Sequence, residues 1–253
     1  MKKTISVTTA LIAALAFSGS SWATWINPIG GDGLNSSLQD VLNNITQGGP
    51  SSIDVNADQV TEADDSYWSI DASGGALSNI VIELAGFSNT NTFGVFDRED
   101  HSKQVQLFGG PNGTGDQATL SILTDGTVRV VHTDAAGNVS GGNTSTHFAN
   151  NKFGFYLNNG TGTYYSDSLL NGGETDMMVA FEGQGDQVQI GSYSPGTWGA
   201  NEFILGWEDT IHGDKDFQDF VVMVESVSVP EPSSIALLGI GLLGLGFSRR
   251  RVR

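Results

Sequence analysis

The sequence predicts an all-β domain of the β-sandwich or jelly-roll type, with one short helix near its N-terminal end. Short segments rich in β-branched, aromatic and other apolar residues follow one another at fairly even spacing, and Gly, Asn and Asp separate them. Thr124-Asp125-Gly126 and Asn158-Asn159-Gly160 are typical of hairpin turns. About ten short strands joined by such turns are typical of a sandwich or a jelly roll.

The helix is predicted from a periodic apolar pattern. Residues Leu34, Leu38, Val41, Leu42 and Ile45 recur with a period close to 3.6, so they lie on one face of a helix. Gly48-Gly49-Pro50 follows and ends the helix. We therefore expect one amphipathic helix before the first strand.

The strands are predicted from short apolar runs, several of them alternating. Their predicted ranges are 80–84, 93–96, 104–108, 119–123, 127–131, 153–157, 163–165, 177–181, 202–207 and 220–227.

The N-terminal segment, residues 1–23, has the features of a cleavable signal peptide. Lys2 and Lys3 precede a mostly apolar stretch from Ile5 to Phe17, and Ser21-Trp22-Ala23 places small residues at positions −3 and −1 of a cleavage site. We therefore expect export through the Sec translocon and removal by signal peptidase. The β domain then occupies residues 24–228.

The C-terminal segment, residues 229–253, combines a proline-bounded start, a short apolar run and a basic end. Its parts are Pro230, Glu231 and Pro232, then the uncharged run 235–247, then Arg249, Arg250 and Arg251. As a helix the run is about 20 Å long, against about 30 Å for the hydrocarbon core of a bilayer. We therefore expect a short transmembrane tail whose arginines stay on the cytoplasmic side.

This tail resembles the PEP-CTERM sorting signal of Gram-negative bacteria in all three parts. The resemblance implies transient anchoring in the inner membrane and cleavage near Pro-Glu-Pro by an exosortase. It also implies release to the cell surface or into the exopolysaccharide matrix of a biofilm.

The charge of the domain excludes one class of partner and favours another. Between Thr24 and Val229 the chain has five basic residues and 27 of its 28 acidic residues, a net charge of −22. Such a surface repels nucleic acid and attracts divalent cations. Cysteine is absent, so no disulfide stabilises the exported domain.

The most acidic stretch lies between the last two predicted strands. Five carboxylates occur within twelve residues, namely Glu208, Asp209, Asp214, Asp216 and Asp219, and we call this stretch the acidic corner. A bound cation would relieve their repulsion, and calcium fits best because it accepts six to eight oxygen ligands in flexible geometry. In the alternative interpretation, the acids form a solvated loop in which Asp side chains cap turns.

The body of the chain resembles a bacterial family of unknown function, number 4114. The resemblance covers most of residues 34–228, and Gly206-Trp-Glu-Asp209 followed by Gly213-Asp-Lys-Asp-Phe-Gln-Asp-Phe220 carries it most clearly. It implies an exported, β-rich, calcium-binding module without an established reaction. Gln218 departs from the asparagine common in the family, and an amide oxygen remains available.

Exposed aromatic rings would suit a polysaccharide-binding, lectin-like module, which is the alternative function. The candidates are Tyr67, Trp68, Tyr164, Tyr165 and Trp198. Aromatic rings also pack in cores and between strands, so core packing is the competing interpretation for each of them.

No catalytic motif stands out in the sequence. Gly-x-Ser-x-Gly, His-Glu-x-x-His and the phosphate-binding loop are all absent. We therefore expect a structural or binding module and not an enzyme. A glycoside hydrolase needs only two suitably spaced carboxylates, so this alternative stays open.

A second acidic stretch, Asp97-Arg98-Glu99-Asp100, predicts an exposed turn whose acids are partly paired with Arg98.

Overall fold

The computed structural model describes Ile29 and residues 37–71, 75–83, 89–211 and 213–229. The predicted signal peptide lies outside the described residues, as do Leu34, Leu84 and the tail from Pro230 onward. Within the described ranges, no helix is both long enough and apolar enough to span a bilayer.

The predicted helix is present as α1 (Leu38–Ile45). It begins at a capping box, in which the Asp40 N–H donates to Ser37 Oγ and the Ser37 N–H donates to Asp40 Oδ2. Leu38, Val41 and Leu42 are buried, as the periodic pattern predicts. A second short helix, α2 (Glu62–Asp65), and two single-turn 3₁₀ helices were not predicted.

The described residues contain fifteen strands. In chain order they are β1 (Trp68–Ile70), β2 (Ala76–Glu83), β3 (Thr92–Asp97), β4 (Asp100–Gly109), β5 (Gln117–Ile122), β6 (Thr127–Thr133), β7 (Val139–His147), β8 (Lys152–Asn158), β9 (Thr163–Tyr165), β10 (Met178–Glu182), β11 (Asp186–Val188), β12 (Gly196–Trp198), β13 (Glu202–Trp207), β14 (Phe220–Glu225) and β15 (Val227–Ser228).

Two antiparallel sheets form the sandwich. The first has the order β15-β1-β8-β3-β4, with β9 paired to β8. The second has the order β10-β13-β14-β2-β5-β6-β7, and β11 and β12 form a separate hairpin. The fold class predicted from the sequence, an all-β sandwich with a short helix, is confirmed.

The core has two parts, one on each face of the second sheet. The part between the sheets includes Trp68, Phe93 and Phe155 from the first sheet and Leu205 and Val222 from the second. On the opposite face of the second sheet, α1 packs against Ile204, Val221 and Met223, together with the β11–β12 hairpin. Strands β13 and β14 are therefore buried on both faces.

Candidate metal centre

The acidic corner is the loop of the β13–β14 hairpin. Trp207 pairs with Phe220 at the end of the ladder, and residues 208–219 connect the two strands. The loop is fixed to the body by Phe217, which is buried in the core beside α1. It is also held by Asn159, whose Nδ2 donates to the backbone oxygen of Asp209 at 2.7 Å. The carboxylates therefore lie on an anchored loop.

Three of the five predicted ligands come together in this loop. Glu208, Asp214 and Asp216 each offer one carboxylate oxygen, and these oxygens all lie within 4.8 Å of one another. Calcium–oxygen distances are about 2.3–2.6 Å, so two ligands of one ion are at most about 5 Å apart. Glu208 and Asp216 are buried and Asp214 is exposed. The spacing is thus compatible with one cation that enters from the side of Asp214.

Glu208 is the most unusual member of the group because it is a buried carboxylate that is only half satisfied. Its Oε1 accepts a hydrogen bond from the Phe217 N–H at 2.8 Å. Its Oε2 is buried and has no hydrogen-bond partner among the described residues. A buried charged oxygen without a partner is costly. A cation beside Glu208 would give this oxygen a positively charged partner.

Gly213 is a residue of the site that the sequence analysis did not identify. A Cβ atom at this position would lie 2.0 Å from Oε2 of Glu208, so any other residue here would displace the carboxylate from this position. Two sequence signals could have drawn attention to Gly213, namely the neighbouring predicted ligand Asp214 and the position of Gly213 at the start of the segment Gly213–Phe220.

Gln218 positions Asp216. Its backbone N–H and its Nε2 both donate to the Asp216 carboxylate. The amide oxygen that we expected to be available here, Oε1 of Gln218, is buried in the structure.

The surroundings of the acidic corner disfavour the ionised form of its carboxyl groups. Burial, together with the charges of Asp219, Asp216 and Asp214, raises the pKa of Glu208 to about 7, and the hydrogen bond from Phe217 opposes the rise. Burial also raises the pKa of Asp216, against the hydrogen bonds from Gln218. A bound cation would reverse these shifts, because an adjacent positive charge favours the carboxylate form.

Asp209 and Asp219 are not part of the group of three. The Asp209 N–H donates to Asp219 Oδ2 at 3.0 Å, and the two carboxyl groups interact directly. Burial raises the pKa of both, that of Asp219 to about 6. The five predicted ligands thus separate into a candidate ligand set of three and a neighbouring carboxyl pair.

The aromatic candidates for glycan binding lie in two kinds of environment. Trp68 and Trp198 are fully buried, and Trp68 packs edge-on against Phe155 and Phe203, so neither tryptophan presents a face to a surface ligand. Tyr67, Tyr164 and Tyr165 are half-buried. The core-packing interpretation therefore holds for the two tryptophans.

Two of these tyrosines are tied to neighbouring polar side chains. The Tyr67 hydroxyl donates to Asp167 Oδ2 at 2.6 Å, and the Tyr165 hydroxyl accepts from Gln104 Nε2 at 3.1 Å.

The second acidic stretch differs from its prediction. Asp97 is fully buried and accepts hydrogen bonds from the backbone of Glu99 and Ala149. Its ion pair is with Lys103, at 3.8 Å. Arg98 instead lies 4.8 Å above the ring of Tyr67. The predicted exposed pairing with Arg98 was wrong for Asp97, because β3 carries this carboxylate into the interior.

Comparison with known proteins identifies the class of protein through its tail. Residues 228–251 match the model of the PEP-CTERM protein-sorting motif. The match confirms the predicted sorting signal and indicates an exported protein that an exosortase, a membrane protein, processes.

The body of the chain is not assigned by these comparisons. No curated protein and no solved structure matches the chain. The resemblance of residues 34–228 to family 4114 has no support from them and stays a prediction.

Proposed function

We propose that this exported protein is a non-enzymatic, calcium-binding structural or binding module. In this proposal the Sec translocon and signal peptidase process its N-terminal end, and an exosortase sorts it to the cell surface or to an exopolysaccharide matrix. The calcium part of the proposal is supported by Oε2 of Glu208, which is buried, has no hydrogen-bond partner among the described residues, and lies beside the carboxylates of Asp214 and Asp216.

The donor chemistry favours calcium over other cations. All three side chains offer oxygen, and the group found among the described residues contains no histidine or cysteine, which zinc prefers. Magnesium requires a nearly octahedral arrangement at about 2.0–2.1 Å. Three carboxylates on a loop, one of them exposed, suit the larger and more flexible calcium shell.

The bound ion would act as a cross-link in the hairpin. Glu208 directly follows β13, and Asp216 lies four residues before β14. An ion held by both residues would connect the ends of two strands that are buried on both faces of the second sheet. Its effect would be to stabilise the centre of the domain in a calcium-containing medium.

The calcium site can be tested with terbium, which binds to calcium sites and luminesces when a nearby tryptophan transfers energy to it. Trp207, next to Glu208, would serve as the donor. We expect luminescence that added calcium displaces and that Asp214→Asn/Asp216→Asn abolishes. The matched control Glu99→Gln/Glu174→Gln removes two exposed charges elsewhere and should leave the signal unchanged. A signal that survives in Asp214→Asn/Asp216→Asn would refute this assignment of the ligands.

The sorting part is tested by replacing Pro230-Glu231-Pro232 with three alanines. We expect an uncleaved precursor that stays in the membrane fraction, measured by immunoblotting of membrane and released fractions. Ser233→Ala/Ser234→Ala keeps the Pro-Glu-Pro segment and serves as the control. Normal cleavage and release of the alanine variant would contradict the assigned role of the tail.

A polysaccharide-binding, lectin-like module is the second candidate function. Tyr164 and Tyr165 support it because they are only half-buried and lie on β9, which pairs with a single strand. In that case calcium would have a structural role only. Glycoside hydrolysis is the weaker alternative, because no motif in the sequence supports it.

A further inference from the structure

A cleft lies beside the β5–β6 hairpin, and its lining shares no residue with the acidic corner. Its volume is about 780 Å³, within the range of about 300–1,000 Å³ that is typical of ligand sites. Thr119 and Ser121 of β5 and Arg129 of β6 line it. Residues 149–151, which precede β8, also line it.

The cleft differs in charge from the rest of the domain. None of the described residues that line it is acidic, although the domain as a whole has 27 acidic residues and five basic ones. Arg129 is the one charged residue of this lining, and it makes no ion pair with any described residue. A guanidinium group without a carboxylate partner favours an anionic group in this cleft.

The other groups of the lining suit hydroxyl-rich ligands. Asn150 uses its Oδ1 to accept from the Lys152 N–H at 2.7 Å, and its amide NH₂ makes no hydrogen bond with the described residues. The Thr119 hydroxyl is likewise unbonded among them. Leu123, which is 42% exposed, adds an apolar surface at the edge. One cation, several neutral polar groups and an apolar surface match a sugar that carries a single carboxylate.

We propose that this cleft binds a saccharide containing uronic acid, with Arg129 paired to the carboxylate and Thr119 and Asn150 bound to hydroxyl groups. A ligand with widely spaced carboxylates fits better than a polyacidic peptide, because the surrounding domain, at a net charge of −22, repels dense negative charge. This site does not depend on the proposed calcium site.

The test is calorimetric titration of the exported protein with a hyaluronan tetrasaccharide, in which every second sugar carries a carboxylate. Neutral cellotetraose and tetraglutamate are the comparison ligands. We expect binding of the hyaluronan fragment alone, and a loss of about tenfold or more in affinity for Arg129→Gln. Arg129→Lys should retain part of the affinity. Arg98→Gln removes the same charge outside the cleft and should bind normally.

Four results would overturn the proposal. They are no binding of the tetrasaccharide, equal binding of tetraglutamate, unchanged affinity in a folded Arg129→Gln, and loss of binding in Arg98→Gln instead. The last result would place the saccharide on the tyrosines near Arg98.

Discussion

Calcium at 100 times its dissociation constant is expected to raise the free energy of unfolding by about 2.7 kcal/mol. For a domain of this size the corresponding rise in melting temperature is about 5 to 10 °C. The physical reason is that only the folded hairpin brings the carboxylates of Glu208, Asp214 and Asp216 within 4.8 Å of one another. The unfolded chain binds calcium weakly, so the ion stabilises the native state selectively. Thermal unfolding in calcium and in chelator measures the shift.

The controls for this prediction separate a site from a general charge effect. Asp214→Asn/Asp216→Asn should lose the shift, whereas Glu99→Gln/Glu174→Gln, with the same change in net charge, should keep it. A similar shift in all three proteins would mean that calcium acts on the overall negative charge and not at the corner.

Glu208→Gln is expected to act in opposite directions with and without calcium. In chelator at pH 8 it should stabilise the protein, because it removes a buried carboxylate whose Oε2 has no hydrogen-bond partner among the described residues. The pKa of Glu208 is raised from 4.5 to about 7, which corresponds to a gain of up to about 3 kcal/mol. In saturating calcium the same variant should be less stable than the wild type, because it lacks a ligand. Urea unfolding in both media measures the two effects.

The stability of the calcium-free protein is expected to depend on pH because the pKa of Glu208 is raised in the folded state. Between pH 4.5 and about 7 the unfolded chain has lost the Glu208 proton and the folded chain still holds it. Stability therefore falls as the pH rises, by up to about 1.4 kcal/mol per pH unit. The pKa of Asp219 is raised from 3.8 to about 6, so this residue also lowers the stability as the pH rises. The fall should be smaller in Glu208→Gln and unchanged in Glu174→Gln. An equal fall in Glu208→Gln would show that Glu208 does not titrate in this way.

Two strands that the sequence predicts accurately are β13 and β14, which are buried on both faces of the second sheet. The predicted range 202–207 coincides with β13, because Phe203, Leu205 and Trp207 face the first sheet while Ile204 faces α1. Burial on both faces makes the whole segment apolar, and such a run is easily recognised. For the same reason, the predicted range 220–227 covers the whole of β14, and it extends two residues beyond its end.

The strands that the sequence analysis missed lack this signal. β7 is made of Gly, Ser, Thr, Asn, His and Val and lies at the exposed edge of its sheet, where pairing with β6 and not burial defines it. β1, β11 and β12 have three residues each, too few for any periodic pattern. Their positions depend on long-range pairing, such as that of Trp68 with Phe153.

The sequence predicted the candidate site as a set of residues but not its internal arrangement. Clustering of acids between two apolar strands was sufficient to locate the corner. The separation of Glu208, Asp214 and Asp216 from the Asp209–Asp219 pair depends on the path of the loop. Phe217 sets this path by packing beside α1, far away in the sequence. The burial of Trp68 and Trp198 also depends on contacts between distant segments, so their sequence neighbours could not reveal it.

The most direct test of the calcium proposal is to count bound calcium by equilibrium dialysis of the exported protein. We expect one tightly bound ion per chain in the wild type and in Glu99→Gln/Glu174→Gln, and none in Asp214→Asn/Asp216→Asn. Absence of bound calcium in the wild type, or undiminished binding in Asp214→Asn/Asp216→Asn, would contradict this expectation.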